Sequence, residues 1–400
     1  MTEQEWQHRV RSQPMAQFLS ESDVLDSFVD VGGMEQFWRQ WYLHGFVDVG
    51  VGKVKFIKGR SGSGKTHFLR HLGIISQLDD YVVVSIDANE SRLATIDEWY
   101  RTIASRVAWT ELIDWCASSL ITDRLGYLDF DLTIPEFMQW AVQTHGRSQA
   151  ILTTDIRDET DKWIRSLDLH YEWIHPIRSL ILRRITGESG NEEAVYRWLQ
   201  GQKLSSHERR DIGVSATIDR RNARAMLLSL AVFVHATAHR GLMVLIDNAD
   251  VMARGVRTEG VPYYTRGSRD QAYEMIRELI DESHQSAYLF LVIAGNPDLY
   301  ENQKTGYPSY PALWARIQSE IVTAQWNRFS DFVDLDALWH ANRDDQARLF
   351  DTWRNLAPHL QFDVSALSST DALPVVELDS VRRTVVKALT ENHGGMDHGI

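Results

Sequence analysis

Eight consecutive residues, Gly59-Arg60-Ser61-Gly62-Ser63-Gly64-Lys65-Thr66, restrict what this chain can fold into more than anything else in it. They fit G-x-x-x-x-G-K-[ST] at every required position. Such a loop is useful only between a strand and a helix. Residues 54–58 (VKFIK) read as the strand, and residues 67–77 continue as a helix with Phe68, Leu69, Leu72 and Ile75 on its inner side. The glycines let the backbone curl, so that Gly59, Ser61, Gly62, Ser63, Gly64, Lys65, Thr66 and His67 form a cradle of N–H groups for phosphates, reinforced by the helix dipole. Lys65 would reach the β- and γ-phosphate oxygens of ATP, and the Thr66 hydroxyl would coordinate Mg²⁺. The bland reading, a Gly/Ser turn carrying an incidental lysine, does not explain the strand before it and the helix after it.

A nucleotide loop of this kind needs a carboxylate at the end of a neighbouring strand to hold the metal. Residues 242–246 (LMVLI) are almost wholly apolar, as in a central strand of a parallel sheet, and Asp247 follows them. Asp247 is therefore the expected metal-supporting acid. The next position, where a general base is expected, holds Asn248. An amide cannot take a proton, although it can orient water. Asp250, two residues on, could take its place only if its side chain points the same way. Binding of ATP is thus better supported than its hydrolysis. An Asn248→Glu variant that gained turnover would identify the missing base.

Further strands are expected at 81–86 (YVVVSI), at 288–293 (YLFLVI) and, weakly at an edge, at 332–335. Helices are expected at 96–107, 136–144, 160–167, 218–238 and 271–282, and only helical patterning follows residue 339. Strands alternating with helices give an α/β fold, a three-layer P-loop core with a parallel sheet. The expected division is an N-terminal helical linker (1–50), a nucleotide-binding core (51–108 and 211–335), a helical insertion (109–210), a helical lid (336–392) and a disordered tail (393–400).

Composition narrows the partners. A net charge of −13 argues against a chain that coats nucleic acid non-specifically. The clusters Arg209/Arg210 and Arg220/Arg221/Arg224 read either as a DNA or partner contact or as a solvated helix face balanced by Asp211 and Asp219. The longest apolar stretch, residues 225–236, is too short to span a bilayer, and the opening MTEQEWQHRVRSQ has no apolar signal core, so a cytoplasmic protein is expected. The single cysteine, Cys116, fits a reducing compartment and reads as a half-buried helix residue. The 14 tryptophans show no periodicity and are read as packing rather than a base-stacking platform. No histidine or cysteine spacing suggests zinc.

Several segments together resemble the ATP-binding proteins of bacterial BREX phage-resistance systems, a branch of the AAA+ superfamily. They are GRSGSGKTHFLR from Gly59, the tryptophan-leucine-glycine segment Arg197-Trp198-Leu199-Gln200-Gly201-Gln202, GLMVLIDNAD from Gly241, and AGNPDL from Ala294 with GYPSY from Gly306 and Leu313-Trp314-Ala315-Arg316. The resemblance implies a AAA+ fold with a helical insertion and C-terminal lid, and a role in phage defence beside partner proteins in a homo- or hetero-oligomer, with DNA association. It implies that Asn296 lies between the two catalytic strands and contacts the γ-phosphate or its water, the alternative being a turn residue. It implies that Arg316 reaches a neighbour's nucleotide, the alternative being a solvated helix arginine, and that Arg382 or Arg383 is a lid arginine reporting on the γ-phosphate. Two departures stand out: Asn248 where the family usually has an acid, and Asn296 where threonine is common. Two other functions compete with an ATPase subunit. One is a nucleotide-gated scaffold that never turns ATP over; the other is an origin-recognition-like DNA loader, which the acidic balance disfavours.

Overall fold

The computed structural model describes residues 19–282, 288–318, 327–356, 385 and 388. Chain order begins with α1 (Glu21–Ser27) and α2 (Met34–Trp38), which runs into a π-helical stretch, Arg39–Val47. Then come β1 (Lys53–Lys58), α3 (Lys65–Leu78), β2 (Tyr81–Asp87) and α4 (Ile96–Ala104). A wholly helical region follows: α5 (Trp109–Ser119), α6 (Phe137–His145), α7 (Gln149–Ser166), α8 (Tyr171–Thr186), α9 (Glu192–Leu199) and α10 (Ser206–Asp211). The chain then returns through α11 (Ala223–Ala236) to β3 (Gly241–Asp247), α12 (Arg266–Asp281) and β4 (Leu289–Gly295). It continues with α13 (Pro297–Glu301), α14 (Pro311–Gln318), β5 (Phe332–Asp334), α15 (Leu335–Ala341) and α16 (Arg343–Leu356).

The five strands form one parallel sheet in the order β2-β3-β4-β1-β5. The apolar runs of β3 and β4 are buried along their length, as strands covered on both faces require. Alternation sorts their side chains onto two cores. Val54, Phe56, Val84, Ile86, Leu242, Val244, Ile246, Leu291 and Ile293 face one cluster, which continues without a break through α4, α5, α8, α9, α11 and α12. Ile57, Tyr81, Met243, Leu245, Phe290 and Val292 face the other, built from α1, α2, the π-helical stretch, α3, α15 and α16. Residues 109–211 therefore share their core with the sheet. The segment expected as an N-terminal linker places Val24, Met34, Trp38, Tyr42 and Leu43 in the second core.

Several boundaries differ from the sequence expectation, each for a local reason. The helix expected from 218 starts at Ala223. Before it, Asp219 N–H donates to Asn222 Oδ1 (2.8 Å) and Arg221 N–H to Asp219 Oδ1 (2.9 Å), a side-chain-bonded turn that competes with helix. The helix expected from 271 starts at Arg266, because Thr265 caps it by accepting from Ser268 N–H. The helix expected to reach 107 stops at Ala104. Beyond residue 356 the expected lid helices and tail lie outside the described residues, apart from Val385 and Ala388, which pack in the second core.

Candidate phosphate-loop site

Strand register brings the candidate residues to one edge of the sheet. Lys58 pairs with Gly295, and Asp87 with Asp247, so the loop after β1 and the ends of β2, β3 and β4 all open at the carboxyl edge. β4 lies between β1 and β3, which sets Asn296 between the phosphate loop and Asp247 in strand order.

The loop itself is fixed by glycine at two kinds of position. Gly62 and Gly64 have φ of 85° and 95°, a region other residues enter with difficulty. A Cβ at Gly59 would stand 2.3 Å from Ser63 Oγ and 3.0 Å from its Cβ, so a larger residue there would force Ser63 to shift. The Gly59 N–H is aimed at the Gly295 carbonyl (3.3 Å), and Arg60 N–H donates to Asp336 Oδ2 of α15 (2.8 Å). These two amides tie the loop to β4 and α15, and Ser63 N–H donates to the Arg60 carbonyl (3.1 Å), which leaves the amides of Ser61, Gly62, Gly64, Thr66 and His67 to meet an anion. Trp339 of α15 donates its Nε1–H to the Ser63 carbonyl at 3.2 Å, a second strap over the loop. Ser63 Oγ is buried with no hydrogen-bond partner among the described residues. Lys65 Nζ donates to the carbonyls of Gly59 (2.6 Å) and Arg60 (3.0 Å), so its ammonium lies along the loop.

Thr66, in the first turn of α3, donates its hydroxyl to Asp247 Oδ2 at 2.5 Å, and Asp247 Oδ1 accepts Asn248 N–H at 2.8 Å. Burial raises the Asp247 carboxyl above the usual range. The bonds from Thr66 and Asn248 and the Lys65 charge oppose that, and the neighbouring Asp87 adds to it. A hydroxyl and a carboxylate converging here form an oxygen donor pair suited to a hard divalent cation such as Mg²⁺. No group of three or more His, Cys, Asp or Glu side chains able to hold a metal occurs among the described residues.

Asn248 takes a left-handed conformation (φ 56°, ψ 31°), which Asn tolerates better than most residues. Its side-chain amide donates to Asp87 Oδ1 at 3.0 Å. Asp250 turns elsewhere: its Oδ1 accepts Asn296 N–H at 3.2 Å, and its Oδ2 meets Arg254 at 3.3 Å. It therefore braces the end of β4. Asn296 Oδ1 caps α13 by accepting Asp298 N–H at 3.0 Å, which fixes the side chain at the strand end. Arg316 lies in α14 and pairs with Asp281 at the end of α12 (2.9 Å). Arg382 and Arg383 lie outside the described residues. Arg221 pairs with Asp219 (2.7 Å) and Arg224 with Glu282 (2.7 Å) and Glu278, so acids offset this basic cluster. Cys116 is buried, and burial raises its thiol, which makes it unreactive.

Sequence reading missed Asp87. The strand YVVVSI ends one residue before it, and a polar residue there reads equally well as a turn. Only the in-register pairing with Asp247 distinguishes it.

His67 turns its ring into the second core, near Ser27 Oγ (3.3 Å), Phe28 and Trp353. Burial, with the charges of His71 and Arg70, lowers its pKa to about 4. The unfolded chain then binds more protons than the folded one between pH 6.5 and about 4, so stability is full above pH 6.5 and falls with pH through that window. The expected loss is on the order of 2 kcal/mol. Denaturant melts at pH 7.5 and 4.5 should reveal it, and His67→Gln should flatten the difference; equal slopes in both proteins would refute the assignment.

Residues 44–342 match the family model described as BREX system ATP-binding protein BrxC/D, a span that takes in the loop, all five strands, Asn296 and Arg316. No curated protein and no solved structure matches the chain.

Proposed function

The chain belongs to the BREX system ATP-binding protein family, and from that premise we propose that it binds Mg-ATP at the Gly59–Thr66 loop and uses it to drive or gate assembly with partner proteins and DNA in an anti-phage complex. The observation that carries this reading is the 2.5 Å bond joining Thr66 of the loop helix to Asp247 of β3. It unites the two halves of a metal–nucleotide cradle that lie 181 positions apart in sequence. In this reading the amides of Ser61, Gly62, Gly64, Thr66 and His67 hold the phosphates, Ser63 contributes its hydroxyl, and Lys65 swings from the loop carbonyls to the β- and γ-oxygens. Thr66 and Asp247 hold the Mg²⁺, which when bound would neutralise phosphate charge. Asn296, braced by Asp250, faces the γ-phosphate, and Arg316 serves a neighbouring subunit. The strand order, with β4 between β1 and β3, supports a AAA+ arrangement of the sheet, to which the proposal adds 109–210 as an insertion and the C-terminal helices as a lid. α15 already straps the loop through Trp339 and Asp336.

A nucleotide-gated scaffold is the second reading, and Asn248 is the observation that favours it, since its amide cannot take a proton. Titration of a fluorescent ATP analogue with Mg²⁺ and with EDTA tests the cradle. Wild type should bind at least about tenfold more weakly without the metal, and Asp247→Ala should abolish that difference. Mass measurement with and without ATP tests the gating, with a larger assembly expected only with ATP. Metal-independent binding and an unchanged mass would refute the proposal.

A further inference from the structure

We propose that Asp87, at the end of β2, is the carboxylate that orients the attacking water and takes its proton, with Asn248 as its positioning residue. This rests on the reading above that Mg-ATP is bound at the loop, and adds the residue that its hydrolysis would require.

A hydrogen bond from the Asn248 side chain to Asp87 joins the ends of β3 and β2. Asp87 and Asp247 are register partners at the ends of β2 and β3. Thr66, Asp247, Asn248 and Asp87 form one continuous chain of hydrogen bonds: hydroxyl to Asp247 Oδ2, Asn248 N–H to Asp247 Oδ1, and Asn248 amide to Asp87 Oδ1. An Asp at a strand end often does no more than cap the following turn, and Asn89 N–H does donate to Asp87 Oδ1 at 2.8 Å. That role does not require Asn248 to reach over from β3. Both donors fall on Oδ1, and Oδ2 accepts no hydrogen bond from the described residues. Two donors on one oxygen fix the carboxylate plane and leave the other oxygen to receive a water.

The acid thus stands on β2, one strand away from the position after Asp247 where the sequence led one to expect it. The base is not missing; it stands on the neighbouring strand, and the amide that occupies its expected place holds it. Asn248 suits the task because the left-handed backbone at that position tolerates Asn. Its NH₂ supplies a donor, which a glutamate at 248 could not do while ionised. A carboxylate at 248 would instead face Asp87 at hydrogen-bond distance, and the two could not both remain ionised at little cost.

The step balances without another reactant. The water oxygen bonds to the γ-phosphorus, and the bond from that phosphorus to the β–γ bridging oxygen breaks with its electron pair leaving on ADP. The water proton passes to Asp87 Oδ2 and from there to solvent.

The test measures phosphate release, ATP affinity and retention of ADP with aluminium fluoride in wild type, Lys65→Ala, Asp87→Asn, Asn248→Glu and the exchanged double variant Asp87→Asn/Asn248→Asp. Asp87→Asn should bind ATP within about threefold of wild type while phosphate release falls about 100-fold and aluminium fluoride no longer traps ADP. The exchanged variant should recover at least about tenfold in release and trapping over Asp87→Asn, which a purely structural Asp87 would not permit. Asn248→Glu alone should not gain turnover. If Asp87→Asn releases phosphate as wild type does while Lys65→Ala does not, or if Asn248→Glu accelerates release, Asp87 is not the base and the ATPase reading stands. If wild type releases no more phosphate than Lys65→Ala, turnover itself fails and the assignment of Asp87 fails with it.

Discussion

Lys65→Ala is expected to weaken ATP binding by roughly two orders of magnitude while leaving the unliganded protein folded. In the structure the Lys65 ammonium donates to the Gly59 and Arg60 carbonyls, bonds made within a loop already held by Gly295, Asp336 and Trp339. Losing them costs little, since the carbonyls lie at a partly exposed edge. With nucleotide present the same ammonium would trade those carbonyls for phosphate oxygens, and charge-assisted bonds contribute about 1.5–3 kcal/mol each. At the low end of that range two of them give about 3 kcal/mol, a little over two orders of magnitude, and the two carbonyl bonds given up in exchange hold the net effect there. The difference is readable as stabilisation by ligand. At an ATP concentration of about 100 times the wild-type Kd, wild type should gain about 2.7 kcal/mol and the variant only about 0.4 kcal/mol. Lys65→Arg should fall between, because a planar guanidinium keeps the charge but not the compact point geometry. An ATP-dependent rise in melting temperature that is the same in wild type and Lys65→Ala would remove the loop from consideration as the nucleotide site.

What could be read from the sequence was local. The loop announces itself because its spacing is set by backbone geometry, which only glycine and a small polar residue satisfy, and β3 because a strand buried on both faces must be apolar throughout. β4 followed from the same logic, whereas β5 read only weakly, as an edge strand. The relations between strands were hidden. Asp87 could not be recognised without knowing that β2 and β3 pair in register. Asp250 was a candidate base by sequence distance, yet the side chain braces Asn296 because the 3-10 turn after Asn248 carries it to the β4 side. Lys55, in the middle of β1, carries no sequence signal of its surroundings. It is fully buried, 3.7 Å above the Tyr42 ring, with its ammonium on the Ser330 carbonyl (2.8 Å) and Asp331 (2.7 Å). Its partners lie some 275 residues away, so no local pattern could signal them. The π-helical stretch at 39–47 obscured periodicity in another way, since a wider turn shifts apolar residues off the 3.6-residue spacing. The 109–211 region was least legible because its helices do not close a core of their own but share one with the sheet.

Trp198 marks where that shared core is pinned, and Trp198→Ala is expected to cost about 3–5 kcal/mol of stability. The indole is buried in α9, and its Nε1–H donates to the Ala216 carbonyl at 2.9 Å, tying the end of the helical region to the segment that leads into α11. The residues around it bind in the other direction. The Leu199 carbonyl accepts the Tyr100 hydroxyl at 2.6 Å, and Arg101 reaches the Gly201 carbonyl at 3.3 Å, both from α4 beside β2. Gly201 has φ of 75°, and a Cβ there would come 3.2 Å from the Tyr100 ring, so the turn after Trp198 fits closely only as glycine. The segment that resembles a family signature is thus a clamp between helices and sheet with no group aimed at the phosphate loop. Truncation to alanine removes the ring, leaves a cavity and strips the Ala216 carbonyl of its donor. Trp198→Phe keeps most of the apolar area and should lose only about 1–2 kcal/mol, mainly through that unpaired carbonyl. Since a domain is stable by only about 5–15 kcal/mol, the alanine variant should show a clear drop in denaturant midpoint. The loss should be the same with and without ATP, because the clamp touches neither Lys65 nor Asp247. An alanine variant that melts like wild type, or one whose deficit vanishes when nucleotide is added, would mean that α9 couples to the site rather than only holding the helices to the sheet.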